Sequence, residues 1–182
     1  MTATDWSVRS PLPTSTEIYR EHADFVWITL RRMGIAESDR PDLLQEVFVV
    51  VHRRLPSYEP DSKITSWLYG ICRRVSAAHR RRAHVRREQI VEEPARGLPE
   101  TNTPEQDVIR SDARAQLQLL LDSLDADKRV VFLMFELEGR SCQEIAELQG
   151  VPVGTVYSRL HAARKAFEQA VGRLRARRNE VR

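Results

Sequence analysis

The fold is decided by residues 141–165, which read SCQEIAELQGVPVGTVYSRLHAARK. Ser141 and Glu144 stand at the spacing of a capping box, which predicts the start of a short helix. Gly150 predicts the end of that helix, because glycine adopts the left-handed conformation in which many helices end. Pro152 is typical of a first helical turn and predicts a second, longer helix. A short helix, a glycine turn and a longer helix form the pattern of a helix-turn-helix unit.

The outer side of the second helix is rich in residues that can bind DNA. In helix-turn-helix units the N-terminal part of this helix enters the major groove, where arginine and lysine hold phosphates and polar side chains reach base edges. A plain helical hairpin with a solvated basic face would carry the same residue types, and this alternative stays open. The candidate DNA-contacting residues are Ser141, Thr155, Tyr157, Ser158, Arg159, His161, Ala162, Arg164 and Lys165.

Two further helices are predicted just before this unit. Apolar residues at helical spacing indicate one helix that ends before Asp125, which is a suitable N-cap residue for the next helix, and Gly139 predicts the end of that next one. The inward-facing residues are predicted to be Leu117, Leu120, Leu121 and Leu124 in the first helix and Val130, Val131, Met134 and Leu137 in the second.

The N-terminal part of the chain shows three more amphipathic helices. The first runs from Glu17 to Gly34, the second from Pro41 to Pro56, and the third continues into an arginine-rich stretch. Their apolar stripes can bury one another, which predicts a small helical bundle. The stripes consist of Ile18, Phe25, Val26, Thr29, Leu30 and Met33, of Leu43, Leu44, Val47, Phe48, Val51 and Leu55, and of Trp67, Leu68, Ile71, Cys72 and Val75.

Between the two helical blocks lies a stretch with linker composition. From Glu88 to Asp107 it contains three prolines, several acids and almost no periodicity. We therefore predict an all-α fold of two small helical domains joined by a flexible linker. The expected parts are an arm at 1–14, a first domain at 15–88, a linker at 89–107, a second domain at 108–173 and a basic tail at 174–182.

The distribution of charge points to a polyanionic partner. The net charge is only +3, but the cations are concentrated within residues 63–87 and 159–178. Two basic zones on a nearly neutral chain suggest two separate contacts with a polyanion. The sequence shows no signal-peptide pattern and no apolar run of membrane length, so we expect a cytoplasmic protein that does not insert into a membrane.

The residue patterns do not indicate metal, redox or catalytic sites. Cys72 and Cys142 lie far apart in apolar stripes, which predicts buried thiols rather than a disulfide. The histidines lack the spacing of helical metal ligands, and no Cys-x-x-Cys, glycine-rich phosphate loop or catalytic triad pattern is present. We expect no cofactor, no metal, no small-molecule substrate and no enzymatic activity.

Residues 124–164 resemble region 4 of the sigma-70 family, whose members give bacterial RNA polymerase its promoter specificity. The resemblance is carried by Glu138, Gly139, Ser141, Glu144, Ile145, Ala146, Gly150, Pro152, Gly154, Thr155, Val156, Ser158, Arg159, Leu160, Ala163 and Arg164, with Arg129, Val131 and Phe132 before them. It implies that the second domain reads the −35 promoter element. Tyr157 and Ala162 stand where the family often has arginine, so the base preference does not carry over.

Residues 42–48, DLLQEVF, resemble region 2.2 of the same family, the helix that docks on the coiled-coil clamp of the polymerase β′ subunit. A polar rim beside apolar residues suits such a surface, although an acidic helical face is often merely solvated. The resemblance also implies a contact of the second domain with the β flap. The implied polymerase-binding residues are Asp42, Leu43, Gln45, Glu46 and Phe48.

Residues 58–73 resemble regions 2.3 and 2.4, which melt and capture the −10 element. Unstacked bases can be held on aromatic faces while cations hold the backbone. Trp67 is as easily a core residue as a wedge, and Tyr69 is predicted to be the more exposed of the two. Ile64, Arg74 and Ala78 depart from the family pattern. The implied −10 contacts are Lys63, Ser66, Trp67, Tyr69, Arg73, Arg74, Arg80 and Arg81.

The short linker leaves no room for a folded region 3, and this layout resembles the extracytoplasmic-function group of the family. Members of that group are usually held inactive by an anti-sigma protein, so the resemblance implies such a partner beside core polymerase and promoter DNA.

Two other classes of protein share parts of this pattern. A dimeric helix-turn-helix regulator with a ligand-sensing N-terminal bundle would not need the motif at residues 42–46 or the arginine-aromatic segment. A helical nuclease would need clustered acids for Mg²⁺, and the sequence does not show such an arrangement.

Overall fold

The computed structural model describes residues 13–59, 63–89 and 115–180, and within these ranges every regular element is helical. The predicted all-α fold is therefore confirmed. Most of the predicted arm and nearly all of the predicted linker lie outside the described residues. We call residues 13–59 and 63–89 the N-terminal unit and residues 115–180 the C-terminal unit.

The N-terminal unit contains three helices. Helix α1 spans Ser15–Arg32, α2 spans Arg40–Arg54 and α3 spans Ile64–Gln89, with single 3₁₀ turns at Glu37–Asp39 and Leu55–Ser57. Thr14 caps α1, since its side chain accepts a hydrogen bond from the backbone N–H of Glu17 and the Glu17 carboxylate accepts one from the Thr14 backbone. The three apolar stripes meet at the centre of this bundle.

The C-terminal unit contains the predicted helix-turn-helix. Its helices are α4 at residues 115–122, α5 at Ala126–Phe132, α6 at Cys142–Gln149 and α7 at Val153–Glu180. Ser141 and Glu144 form the predicted capping box, and Gly150 ends α6 at φ 63° and ψ 40°. Helix α7 continues beyond residue 173, the predicted end of the second domain, so residues 174–180 of the predicted tail are helical.

Two residues were predicted wrongly as inward-facing. The first is Leu117, which is 41% exposed, and the second is Leu137. Leu137 is 64% exposed, whereas Met134 on the same predicted stripe is fully buried. Residues Leu133–Leu137 form a π-helical turn, in which the N–H of Glu138 bonds to the carbonyl of Leu133 at 3.2 Å. This wider turn shifts the register of the residues that follow it, which moves Leu137 to the surface.

One apolar core runs through both units. Helix α3 packs against α6, and α1 packs against α5, so that the buried side chains of the two units are continuous. The sequence patterns gave no sign of this contact. Cys72 and Cys142 are buried free thiols in this core, as predicted, and burial raises the pKa of the Cys72 thiol to about 12.

Candidate nucleic-acid and polymerase interfaces

The outer face of α7 presents most of the residues predicted to read duplex DNA. Val156, Leu160 and Ala163 are buried and fix the orientation of the helix on the rest of the unit. The opposite side is therefore turned to solvent, with Thr155 and Ala162 half-buried beside it. The exposed residues are Tyr157, Ser158, His161, Arg164 and Lys165.

Two of these polar groups already have partners within the C-terminal unit. Arg164 Nε donates to Glu136 Oε1 at 2.7 Å, and its guanidinium lies 5.2 Å from the centre of the Phe135 ring. The Ser158 hydroxyl donates to the Thr155 carbonyl at 2.9 Å. Both side chains remain exposed, so they can exchange these partners for DNA.

Arg159 departs from the prediction that it is a free DNA-contacting cation. Its Nη1 donates to Gln149 Oε1 at 2.6 Å and its Nη2 donates to Asp127 Oδ2 at 3.0 Å, and only 21% of the side chain is exposed. Arg159 comes directly after Ser158 in α7 and lies on the side of the helix that faces α5 and α6. Ser141 is likewise committed, because its hydroxyl takes part in the capping box with Glu144.

The predicted −10 surface on α3 is largely in contact with the C-terminal unit. Lys63 Nζ donates to Glu147 Oε2 at 2.7 Å, and the Ser66 hydroxyl donates to the Glu147 backbone carbonyl at 2.7 Å. Arg73 binds both carboxylate oxygens of Asp127 at 2.9 Å. Hydrogen bonds to Lys63 hold the pKa of the Glu147 carboxyl below its ordinary value.

Tyr69 is the clearest correction to the predicted −10 surface. It was expected to be the more exposed aromatic residue, but it is only 3% exposed, whereas Trp67 is half-buried against Tyr58 with the ring centres 4.9 Å apart. Tyr69 lies on the face of α3 that the C-terminal unit covers. Burial, followed by the charge of Asp127, raises the pKa of its hydroxyl. In this arrangement Tyr69 is a core residue.

The remaining predicted −10 cations lie further along α3. Arg80 Nη1 donates to the Met33 carbonyl at 3.0 Å, and partial burial lowers the pKa of its guanidinium. Arg74 and Arg80, together with Asp125, line a cleft of about 790 Å³ between the two units. Arg81 is exposed.

Helix α2 presents a polar outer face, but Leu43 is not part of it. Asp42 and Gln45 are exposed, whereas Leu43 is 3% exposed and belongs to the core together with Val47 and Val51. Leu43 therefore does not lie on the surface where the polymerase contact was predicted, because these three residues share the inward face at a spacing of four.

The other two predicted polymerase-binding residues are half-buried. Glu46 Oε2 accepts from Arg82 Nη2 at 2.8 Å, and Phe48 contacts Tyr19 edge to face with ring centres 4.8 Å apart. Sequence reasoning missed Val49, which is 48% exposed. The helical spacing of Asp42, Gln45, Glu46 and Val49 was the signal that could have placed it on the outer face.

Sequence reasoning also missed the carboxylates that the C-terminal unit directs at α1 and α3. They are Asp127, Glu138 and Glu147. No local pattern could have found them, because their partners stand more than fifty positions away in the chain.

In residues 13–59, 63–89 and 115–180, no group of three or more His, Cys, Asp or Glu side chains is placed to hold a metal ion. No helix among these residues has the length and apolar character that crossing a membrane requires.

Comparison with known families divides the chain into two parts that correspond to the N-terminal and C-terminal units. The family model for sigma-70 region 2 matches residues 18–86, and the model for sigma-70 region 4 matches residues 114–167.

Two curated relatives to which the chain is similar belong to one group. The chain is 35% identical to the ECF RNA polymerase sigma factor SigE of Mycolicibacterium smegmatis, over 86% of this chain and 61% of that protein. It is 32% identical to the ECF RNA polymerase sigma-E factor of Escherichia coli K12, over 75% of this chain and 76% of that protein. The chain thus spans about three fifths of the length of the Mycolicibacterium relative.

Solved structures share the fold. CnrH, in complex with the cytosolic domain of CnrY, superposes with a TM-score of 0.56 at 23% identity, covering 87% of each chain. The sigma factor RpoE of Bartonella quintana, in complex with the anti-sigma factor NepR, superposes with a TM-score of 0.57 at 17% identity, covering 86% of this chain and 96% of that one. Taken together with the two matched regions and the identity to the curated relatives, these likenesses place the chain in the extracytoplasmic-function (ECF) group of sigma-70-family RNA polymerase sigma factors.

Proposed function

We propose that this chain binds core RNA polymerase and directs it to promoters through contacts with the −10 and −35 elements. The observation that carries the proposal is the helix-turn-helix of α6 and α7, whose outward residues Tyr157, His161 and Lys165 are free to enter a major groove. The exposed cations supply phosphate contacts, and the polar side chains supply contacts to base edges.

The proposed polymerase contact is the outer face of α2, formed by Asp42, Gln45, Glu46 and Val49. Acidic and amide groups around an exposed apolar side chain suit the charged coiled-coil clamp of the β′ subunit, since mixed rims with a small apolar centre are typical of such interfaces. The β flap is the proposed polymerase partner of the C-terminal unit.

The proposed −10 surface is the face of α3 that carries Ser66 and Arg73, together with Lys63 just before the helix. Trp67 lies beside this face, and Arg74, Arg80 and Arg81 lie further along. Cations along one helix can follow the backbone of a melted strand while an aromatic ring stacks on a base. Chemistry at the promoter is left to the polymerase, and the chain itself contributes binding and no catalytic group. Its place of work is then the cytoplasm, where the polymerase acts.

An anti-sigma protein is a further proposed partner. The two solved structures with this fold are complexes, one with an anti-sigma factor and the other with the cytosolic domain of CnrY. A protein that covers the α2 face or the α7 face would prevent the contacts proposed above.

Run-off transcription tests this function. Purified core polymerase and the full chain, on a library of genomic promoter fragments, are expected to produce transcripts with discrete 5′ ends that core polymerase alone does not produce. The double variant Gln45→Ala/Glu46→Ala is expected to weaken binding to core polymerase by about tenfold or more, the size of an interface hot spot. The matched control is Glu21→Ala/Asp24→Ala on the exposed side of α1. An absence of discrete transcripts with the wild-type chain contradicts the proposal.

A further inference from the structure

The cleft between the two units is lined by four arginines and three aspartates, beside a few apolar residues. Each of the three aspartates already has a cationic partner on the chain. The pairs are Asp127 with Arg73 at 2.9 Å, Asp125 with Lys128 at 2.6 Å, and Asp122 with Arg129.

Arg74 and Arg80 are the two arginines of the cleft that this pairing leaves over. Neither forms an ion pair with any described residue, and Arg80 Nη1 donates to a backbone carbonyl, that of Met33, at 3.0 Å. Both side chains are exposed. The cleft therefore holds two positive charges that no described carboxylate neutralises. A phosphate monoester, which carries a charge of about −1.5 to −2 at neutral pH, matches this excess.

The two arginines are separated by a residue that leaves room for a ligand. Ala77 comes three positions after Arg74 and three before Arg80, so these residues lie along the same side of α3, and all three line the cleft. The methyl group of Ala77 leaves space between the two guanidinium groups. The cleft volume of about 790 Å³ also lies within the range of about 300–1,000 Å³ that is typical of small-molecule sites.

The opposite wall of the cleft comes from the C-terminal unit and offers a different surface. Leu124 and Ala126 supply apolar contacts there. Arg129 lies behind them with 7% of its side chain exposed, and its Nε is buried without a hydrogen-bond partner among the described residues. Only part of the donor capacity of this buried cation is used, so this wall favours an anion as the α3 wall does.

We propose that this cleft binds a small phosphorylated molecule, with the phosphoryl group between Arg74 and Arg80 and the organic part against Leu124 and Ala126. The paired donors of a guanidinium match the oxygens of a phosphoryl group, and arginine is therefore common in phosphate sites. The site goes beyond the proposed function, because it depends on the placement of the two units and not on promoter binding. Arg74 and Arg80 also belong to the proposed −10 surface, so the ligand and a DNA strand compete for them.

Isothermal titration calorimetry of the full chain tests the ligand class with three probes. ADP carries the anion and an organic part, inorganic pyrophosphate carries the anion alone, and adenosine carries no charge. ADP is expected to bind at a single site, and adenosine at least about tenfold more weakly, because it lacks the charge-assisted hydrogen bonds. Pyrophosphate is expected to bind more weakly than ADP. Equal affinities for ADP and pyrophosphate would overturn the contact with an organic part and identify the ligand as an inorganic anion.

Charge variants test the phosphoryl position. Arg74→Gln/Arg80→Gln is expected to weaken ADP binding by at least about tenfold. The matched control is Arg173→Gln/Arg175→Gln, which removes the same charge from exposed positions on α7 and is expected to change the affinity by less than about twofold.

A steric variant tests the same position without changing any charge. Ala77→Leu fills the space between the two arginines and is expected to weaken ADP binding about tenfold, whereas Ala77→Ser keeps the space and is expected to retain binding. Thermal unfolding of each variant shows that the chain remains folded.

Nuclear magnetic resonance of the isotope-labelled chain locates the bound ADP. The backbone amide signals of Ala77 and Ala126, one on each wall, are both expected to shift. Four results would overturn the site: no binding of ADP or pyrophosphate, equal losses in the two double-arginine variants, full binding by Ala77→Leu, and shifts confined to α3. Discrete run-off transcripts without ADP binding would refute the site and leave the proposed function intact, and ADP binding without transcripts would do the reverse.

Discussion

The two surfaces assigned to DNA carry similar residue types but differ in what covers them. On α7, His161 and Lys165 face solvent beside the helix-turn-helix turn. On α3, Lys63, Ser66 and Arg73 are bonded to the other unit. The same chemistry of cations and polar groups is thus accessible in one place and occupied in the other.

This difference teaches that residue type alone does not establish a free binding surface. A basic helix attracts any well-placed anion, and a carboxylate of the same chain has the advantage that it is always present. Whether such a helix can bind DNA depends on carboxylates that are distant in the sequence, such as Asp127 and Glu147. The four predictions that follow are arranged from the largest expected change in free energy to the smallest.

Gly34→Ala breaks the contact that covers α3. The substitution places a side chain at φ 83° and crowds the Arg129 guanidinium, so the free energy of unfolding is expected to fall by about 2–3 kcal/mol. Urea unfolding measures this. The control Gly172→Ala, in open space on α7, is expected to stabilise the chain by about 0.5–1 kcal/mol. Equal effects of the two substitutions would contradict the packing described for Gly34.

Arg159→Ala tests whether Arg159 has a structural role, in contrast to the exposed cations on the same helix. Loss of its bonds to Gln149 and Asp127 is expected to reduce the free energy of unfolding by about 1–2 kcal/mol. Lys165→Ala, at an exposed position, should change stability by less than about 0.5 kcal/mol. If Arg159→Ala leaves stability unchanged and instead flattens the salt dependence of duplex binding, Arg159 is a DNA-contacting cation and its bonds to Gln149 and Asp127 are not structural.

Arg164→Ala/Lys165→Ala sharpens the contrast between α7 and α3. Loss of two phosphate contacts is expected to weaken binding of a −35 duplex about tenfold and to reduce the slope of log affinity against log salt by about 2. Arg73→Ala should leave duplex binding by the free chain unchanged, because Arg73 is held by Asp127. Fluorescence anisotropy measures both. The control Arg173→Ala/Arg175→Ala removes two exposed cations further along α7, and an equal loss there would show that only net charge matters.

The alkaline stability of the chain tests the burial of Cys72 in the core. Burial raises the pKa of Cys72 from 9.0 to about 12, so the folded chain keeps a proton that the unfolded chain releases. The stabilisation is complete below pH 9 and is lost as pH rises toward 12, at up to about 1.4 kcal/mol per pH unit. Tyr69, whose pKa burial also raises, adds to the loss above pH 10.

Urea unfolding between pH 8 and 10 is expected to show a shallower decline for Cys72→Ala than for the wild-type chain, by about 1 kcal/mol at pH 10. Val75→Ala is the control, because it also opens a cavity in α3 but carries no titrating group. Parallel curves for wild type and Cys72→Ala would contradict the burial of this thiol.

Local patterns sufficed for the helices and for the turn of the helix-turn-helix. Capping at Ser141 and Gly150 depends on neighbours within a few positions, so it can be read directly from the sequence. Leu137 could not be placed, because a π-helical turn changes the register without a signal in the apolar spacing.

The candidate functional residues show the same difference between features that local sequence determines and features that it does not. The exposed face of α7 follows from helical periodicity once its buried residues are known. The burial of Tyr69 and the engagement of Arg73 arise from contact between segments that are distant in the chain, and the periodicity of α3 alone does not contain that information. Leu43 was placed on the polymerase-binding surface for a different reason. The family motif covers both faces of α2, and only the helical spacing of Leu43 with Val47 and Val51 shows that it faces inward.

The most direct test of the account is site-specific photocrosslinking from two positions, Ser66 on α3 and His161 on α7, with and without core polymerase. We expect the probe at position 161 to crosslink to promoter DNA near −35 in the polymerase complex. The probe at position 66 should crosslink to the segment around Glu147 in the free chain and to the −10 strand once polymerase is bound. A probe at position 66 that reaches DNA in the free chain without any intramolecular product would contradict the contact of Ser66 with Glu147, and the absence of promoter crosslinks from both positions in the polymerase complex would contradict the proposed function.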